Sequence, residues 1–305
     1  TMSFSPKETE IYLKFNPRTA VIQRINTADE PRGRDLGINR AVLRANQVAG
    51  HSVFVSHFVG KLFENHGYDR QKPHCVIHTG ADGEIFYPLG RAETHPGEPL
   101  KIVTHHWSDN VLKGFDIYER LDRLLGRAEY SKTLEFTLIG NWPLGVEFQN
   151  SRLLPPMSGA DLAAELKRHH FYLTGARCEP AGNHYIEAMS CGLPVLFLES
   201  GSSAEYCSEY GGVGYDLADF EDKLKMMVDR VEERREKVLN YRYSARSMAD
   251  SYWEMIQQQV DRVRGRARKR ASPLALAGAK VEKIWNRILD KSIYELNRLK
   301  IKDDY

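Results

Sequence analysis

The chain has 305 residues, 42% of them hydrophobic and 28% charged, a composition that excludes disordered, fibrous and membrane-spanning proteins. At about 100 to 200 residues per domain, its length fits two domains, each able to bury a core without disulfides or structural metal. Lys and Arg number 43 against 41 Asp and Glu, and the net charge of +2 gives no global field that argues for nucleic acid or membrane, so an anionic partner has to be recognised locally.

In chain order, β-rich runs at Ala20 to Gln23, Ser52 to Ser56, Cys75 to His78, Lys101 to Thr104, Glu135 to Ile139, Phe171 to Thr174 and Pro194 to Leu198 alternate with helical stretches. Such alternation predicts parallel sheet covered by helices. Two amphipathic segments read as crossover helices. Gly114 to Leu125 carries Phe115, Ile117, Tyr118, Leu121 and Leu125 on one stripe, and Phe220 to Val238 is charged on its outer face.

Pro88 to Leu100 holds three prolines and two glycines among thirteen residues without periodicity, and is the best boundary between domains. The expected division is a short N-terminal domain over 1–92, a Rossmann-like unit over 98–245, and C-terminal helices with a basic tail over 246–305 that pack back on the first domain. The first domain has room for at most three strands and shows no glycine-rich turn opening a helix, so it looks reduced or incomplete. Arg262 to Arg270 packs six basic residues into nine positions. Such a run is either a solvated tail or a patch for anionic lipid headgroups, with the amphipathic Val281 to Leu299 alongside.

Cys75, Cys178, Cys191 and Cys207 show no C-x-x-C spacing and read as ordinary thiols of a reducing compartment. The longest apolar run, Leu193 to Leu198, is too short to cross a bilayer, and the first thirty residues lack the order of a signal peptide. The expected location is cytoplasmic, with peripheral membrane contact through Arg262 to Arg270 as an option. Thr1 before Met2 reads as an appended residue.

Chemistry concentrates in Glu179 to Val195, E-P-A-G-N-H-Y-I-E-A-M-S-C-G-L-P-V, soon after the strand Phe171 to Thr174. Gly182 permits close backbone approach to a ligand, and Asn183 and His184 open a short helix whose N-terminal N–H groups and dipole suit an anion. Ile186 and Met189 turn inward, while Gly192 and Pro194 end the helix. Glu187, one turn in, is an acceptor-only carboxylate suited to neighbouring hydroxyls such as those of a ribose. Glu179 stands before the loop. Two glutamates eight apart are, taken alone, ordinary surface charges.

The pattern resembles the retaining nucleotide-sugar glycosyltransferases of the GT-B fold, whose large E-x7-E group carries E-x-x-G-x-x-x-x-E-A-M-x-x-G-x-P-V. Glu179, Gly182, Glu187, Ala188, Met189, Gly192, Pro194 and Val195 match every fixed position. Val53 to Ser56 with Phe58, Gly67 and Val76 to Pro88 is similar to the segment ending that family's N-terminal domain, with Thr79 where an asparagine is usual. Thr104 to Asp116 stands where the family places its first C-domain strand and diphosphate turn. There Lys113 with Gly114 matches the family's K-G, while Ser108 replaces its usual arginine. Asn110 nearby is a neutral donor, and Arg177 is a possible substitute. The likeness covers roughly Gln47 to Gly214.

The resemblance implies an α/β fold of GT-B type, with two Rossmann-like domains facing a cleft and the N-terminal one reduced. It also implies transfer of a hexosyl unit from a nucleoside diphosphate sugar to a hydroxyl, with retention and without a metal or cofactor. Lys113 and the helix N-terminus at Gly182, Asn183 and His184 would stabilise the diphosphate, Glu179 would orient the sugar, Glu187 would hold the ribose, and Ser108 and Asn110 would line the donor site. The acceptor would be a saccharide, a lipid-linked or a protein hydroxyl. None of His51, His57, His66, His74 and His78 matches the family's N-domain catalytic histidine. Plainer readings stand beside these: Lys113 as a helix-surface lysine, His105 and His106 beside Trp107 as packed residues, and Cys178 as a small buried one. A non-catalytic nucleotide-sugar-binding or scaffold protein with a degenerate fold is the alternative. Nucleic-acid binding ranks a distant third, because the basic tail lacks interleaved aromatics.

Overall fold

The computed structural model describes residues 5–265. After the helix α1 (Pro6–Phe15), the strands β1 (Ile22–Ile25), β2 (His51–Phe54) and β3 (His74–Val76) form a parallel sheet in the order β1-β2-β3. They are joined by α2 (Ile38–Asn46) and α3 (His57–Asn65). One face of this sheet is covered by Ile38, Val42, Val59 and Phe63 from these two helices, packed on Ile25 and Phe54. Ser56 caps α3, its Oγ accepting from the Val59 N–H at 3.2 Å.

The second unit begins with β4 (Leu100–His106), α4 (Phe115–Leu125), β5 (Leu134–Gly140), β6 (Arg152–Leu154), α5 (Gly159–Leu166) and β7 (Phe171–Thr174). It continues through α6 (Asn183–Ser190), β8 (Val195–Leu198), α7 (Ser203–Cys207), β9 (Val213–Tyr215), α8 (Phe220–Asp229) and α9 (Val231–Val238). Its six strands are all parallel, in the order β6-β5-β4-β7-β8-β9. The apolar stripe of α4 is buried as its spacing predicts. The chain leaves β4 in one direction and returns on its other side as β7. The crevice at the carboxyl ends of these two strands is the topological switch point at which open α/β sheets bind ligands.

The structure differs from the sequence reading in three places. The short edge strands β6 and β9 escape a periodicity reading, because three residues hold no pattern. Phe220 to Val238 is two helices broken at Arg230 (φ −125°, ψ 27°). The turn carries α9 onto the linker, where the buried Arg235 donates to the Ala92 carbonyl and Arg91 donates to the Arg235 carbonyl at 2.8 Å. The leading run Ala20 to Gln23 shifts to β1, and the helix α2 after it, which the sequence reading does not place, is present.

The helix α10 (Ala245–Arg264) lies on the other face of the first sheet. Its Met255 packs with Val53 and Ile77, and its Tyr252 hydroxyl accepts from Arg24 Nε at 3.0 Å. The first residues of the Arg262 to Arg270 run end this helix. The rest of that run, and Val281 to Leu299, lie outside the described residues. Among the described residues no helix is long and apolar enough to cross a membrane.

Candidate functional site

A cleft of about 520 Å³ opens between the two sheets, lined by Lys113, Glu179 and Glu187 from the second unit and by Arg24, Asn26 and Thr79 from the first. Lys113 is presented by the turn after β4. The turn closes at Gly114, whose φ of +90° and approach to Gly175 leave no room for a side chain: a Cβ there would lie 2.3 Å from the Gly175 carbonyl carbon. The Lys113 ammonium forms an ion pair with the Glu179 carboxylate. Both groups are mostly buried.

Glu179 is fixed through its backbone. Its carbonyl accepts from the Ser202 N–H and hydroxyl, each at 2.9 Å, and Cys178 before it has a φ of +55°. The turn runs over Gly201, whose Cβ position lies 2.4 Å from the Glu179 nitrogen. Beyond it α6 opens at Asn183, with Gly182 as N-cap donating to the Tyr185 hydroxyl at 2.7 Å. Glu187 on this helix meets His105 of β4, Oε2 to Nε2 at 3.0 Å. With Nε2–H donating to the carboxylate, His105 keeps a buried Nδ1 that has no hydrogen-bond partner.

Beneath the cleft the imidazoles of His106 and His184 are buried 4.8 Å apart. Burial, reinforced by neighbouring positive charge including that of Lys113, pushes both well below the usual histidine range, so they are neutral. Tyr118 donates to the Lys113 carbonyl at 2.9 Å, which makes His106 Nε2–H the donor in the 2.7 Å contact between them. His184 Nε2 lies 3.1 Å from the Thr174 hydroxyl. The site therefore carries Lys113 and Arg24 as cations and Glu179 and Glu187 as anions, on a floor of neutral rings.

Of the residues singled out in the sequence, Lys113, Glu179, Ser108, Gly182, Asn183, His184 and Glu187 all line this cleft. Asn110 does not: its Oδ1 accepts from the Leu112 N–H at 2.9 Å and caps the turn that presents Lys113. Arg177 does not reach in either. It is bound to Asp116 through two hydrogen bonds, at 2.9 and 2.7 Å. Among the described residues no three His, Cys, Asp or Glu side chains are grouped to hold a metal.

Sequence reading passes over Arg24 and Asn26 at the end of β1, and over the contacts that join the two units below the cleft. Tyr206 donates to the Val55 carbonyl at 2.6 Å and accepts from the Thr79 N–H at 2.9 Å, and Ser56 donates to the Pro180 carbonyl at 2.6 Å. Glu205 accepts from the His57 and Phe58 N–H groups at 2.8 and 3.3 Å and contacts His78 Nε2 at 2.6 Å. Burial raises the Glu205 carboxyl, but His78 and the α3 donors outweigh it and hold the group below the usual carboxylate value. The other histidines are spent locally, His66 on Glu30 at 2.6 Å and His51 against Cys75 at 3.4 Å. Asn26 after β1 and Thr79 after β3, polar residues following short strands, are the signal that marks the first unit's side of the cleft.

No family model matches this sequence, and no curated protein matches it. Solved structures do. A sucrose-phosphate synthase from Thermosynechococcus elongatus aligns over 81% of this chain and 71% of its own, at 14% identity and a TM-score of 0.59. Anabaena HepE, solved in complex with UDP and glucose, aligns over 83% and 76%, at 16% identity and a TM-score of 0.61. The catalytic domain of starch synthase IV from Arabidopsis thaliana, bound to ADP and acarbose, aligns over 72% and 58%, at 17% identity and a TM-score of 0.55. The parallel sheets, the cleft at the switch point and these likenesses give the chain a GT-B-like Rossmann fold.

Proposed function

We propose that the chain is a retaining glycosyltransferase that moves a hexosyl unit from a nucleoside diphosphate sugar to a hydroxyl acceptor without a metal. One observation carries this reading: the Lys113–Glu179 pair and the Glu187–His105 pair stand in one cleft, with the N-terminal turn of α6 between the two glutamates. That order suits a ligand with a ribose at Glu187, a diphosphate at Lys113 and the α6 amides, and a sugar at Glu179. HepE with UDP and glucose, and starch synthase IV with ADP and acarbose, hold nucleoside diphosphates and sugars of this class.

In this reading Lys113 turns from Glu179 toward the diphosphate and stabilises charge that builds as the anomeric bond breaks. A donor of this kind, once seated on the diphosphate, contributes about 3 to 4 kcal/mol at the transition state. Glu179, released from the ammonium, accepts from the sugar hydroxyls and sets the anomeric carbon in place. The acceptor hydroxyl attacks the face the diphosphate leaves and passes its proton to that diphosphate, so no enzyme nucleophile is needed. The neutral floor of His106 and His184 excludes water beneath the phosphates.

The three-stranded first sheet and Ser108 favour the second reading, a nucleotide-sugar-binding protein without turnover. Incubation with UDP-, GDP-, ADP- and dTDP-sugars, with EDTA present and candidate acceptors added, separates the two. Transfer or slow donor hydrolysis, lost in folded Glu179→Ala and giving the donor's anomeric configuration by NMR, is the expected result. Binding without turnover for every donor supports the second reading, and neither binding nor turnover overturns both.

A further inference from the structure

From the side chains at the mouth of the same cleft, and resting on the nucleotide-sugar reading above, we infer that Trp107 is the platform on which the nucleobase stacks. Trp107 is 63% exposed. Among the large apolar side chains exposed on the described surface, it alone lines the cleft. Its backbone is pinned: the Trp107 carbonyl accepts from Asn141 Nδ2 at 2.8 Å, and the preceding His106 carbonyl accepts from the Asn141 N–H at 3.1 Å. The nearby Trp142, by contrast, packs edge-on against Phe148 at 6.4 Å, within the core's margin. An indole on a pinned backbone, left in water at a cleft wall, is a surface suited to a flat partner.

Position selects the base rather than the transferred sugar as that partner. β4 ends with His105, whose ring touches Glu187, and His106. Trp107, in the bend that follows, is tied to Asn141 just after β5, whereas Glu179 follows β7 on the opposite side of β4. Trp107 thus extends the Glu187 side of the cleft outward, away from Glu179. The group attached to a ribose held at Glu187, on the side opposite the phosphates, is the base. Stacking on an indole accepts any base, because each has a π-face, and so this platform strengthens binding without choosing among nucleotides.

Calorimetry and tryptophan fluorescence on the full chain test this, with UDP, ADP, GDP, dTDP and inorganic pyrophosphate as ligands. In the wild type the nucleotides are expected to quench fluorescence and pyrophosphate to bind without quenching. Trp107→Ala should weaken the best nucleotide by about 10- to 100-fold and leave pyrophosphate affinity within about twofold. Trp107→Phe should keep most of the affinity and lose the quench. Nucleotide affinity unchanged in Trp107→Ala, or pyrophosphate weakened equally, overturns the stacking role. An altered KM for the acceptor alone places the ring on the acceptor and also overturns it. A wild type that binds neither nucleotide nor pyrophosphate overturns the nucleotide-sugar reading itself. Urea melts of both variants check the fold, which an exposed ring should leave within about 0.5 kcal/mol of the wild type.

Discussion

Gly201→Ala displaces Glu179 without altering it. Gly201 has a φ of +68°, and a Cβ there would stand 2.4 Å from the Glu179 nitrogen and 2.7 Å from its carbonyl oxygen. Ordinary contact begins at 3.4 Å, so the backbone of the 178–179 turn has to retreat by about 1 Å. The left-handed conformation adds about 1 to 2 kcal/mol for a non-glycine residue. Disturbing the two Ser202 hydrogen bonds to the Glu179 carbonyl brings the expected loss to about 2 to 4 kcal/mol by urea unfolding. A reacting group misplaced by about 1 Å costs on the order of 100-fold in rate. Donor turnover in Gly201→Ala should therefore fall about 100-fold in protein still folded at 20 °C, with Lys113 and both glutamates present. Activity within twofold of the wild type, with stability unchanged, refutes the claim that this backbone contact positions Glu179.

Lys113→Ala should lower kcat by about 100- to 1,000-fold if its ammonium stabilises the departing diphosphate, and steady-state kinetics against the preferred donor checks it. Tyr206→Phe leaves the Val55 carbonyl and Thr79 N–H unpaired where the two units meet, and should destabilise the chain by about 2 to 4 kcal/mol in urea melts. His169 is held neutral by burial, its pKa pushed down to about 4. Its folded pKa lies below the unfolded one, so its contribution is complete above the ordinary histidine value of 6.5 and is lost as pH falls toward 4, by about 3 kcal/mol in all. Stability measured from pH 7 to pH 4 should fall less steeply in His169→Gln, and equal slopes would contradict the assignment. Glu205, with a lowered pKa, contributes above the ordinary carboxylate value and loses that contribution at lower pH. Glu205→Gln should flatten the stability curve below pH 4.5.

The parts of this molecule legible in its sequence are those dictated by local physics. The buried parallel strands read as apolar runs, the stripe of α4 as a 3.6-residue period, and the α6 helix as a glycine entry and a Gly-x-Pro exit. Lys113, Glu179 and Glu187 are picked out by the resemblance to the E-x7-E pattern and its K-G, not by spacing alone, and one turn and one short helix bring them to a single cleft. Residues placed by tertiary contact were not legible. Arg24 and Asn26 join the cleft only because β1 lies beside β2, and the Tyr206 and Glu205 contacts bridge residues more than 120 apart in sequence. Arg177 and Asn110 look free in one dimension, yet Asp116 and the Leu112 N–H take them. The break at Arg230 is invisible in a run of mixed charge, and the contact of Arg235 beyond it with the Ala92 carbonyl is a tertiary one.

A crystal structure of the chain with the nucleoside diphosphate that most raises its melting temperature bears most directly on the reading of the cleft. The diphosphate should lie within hydrogen-bond distance of Lys113 Nζ and the first amides of α6, and both ribose hydroxyls should reach the Glu187 carboxylate. A nucleotide bound elsewhere, or one seated in the cleft with neither glutamate turned toward it, would contradict that reading.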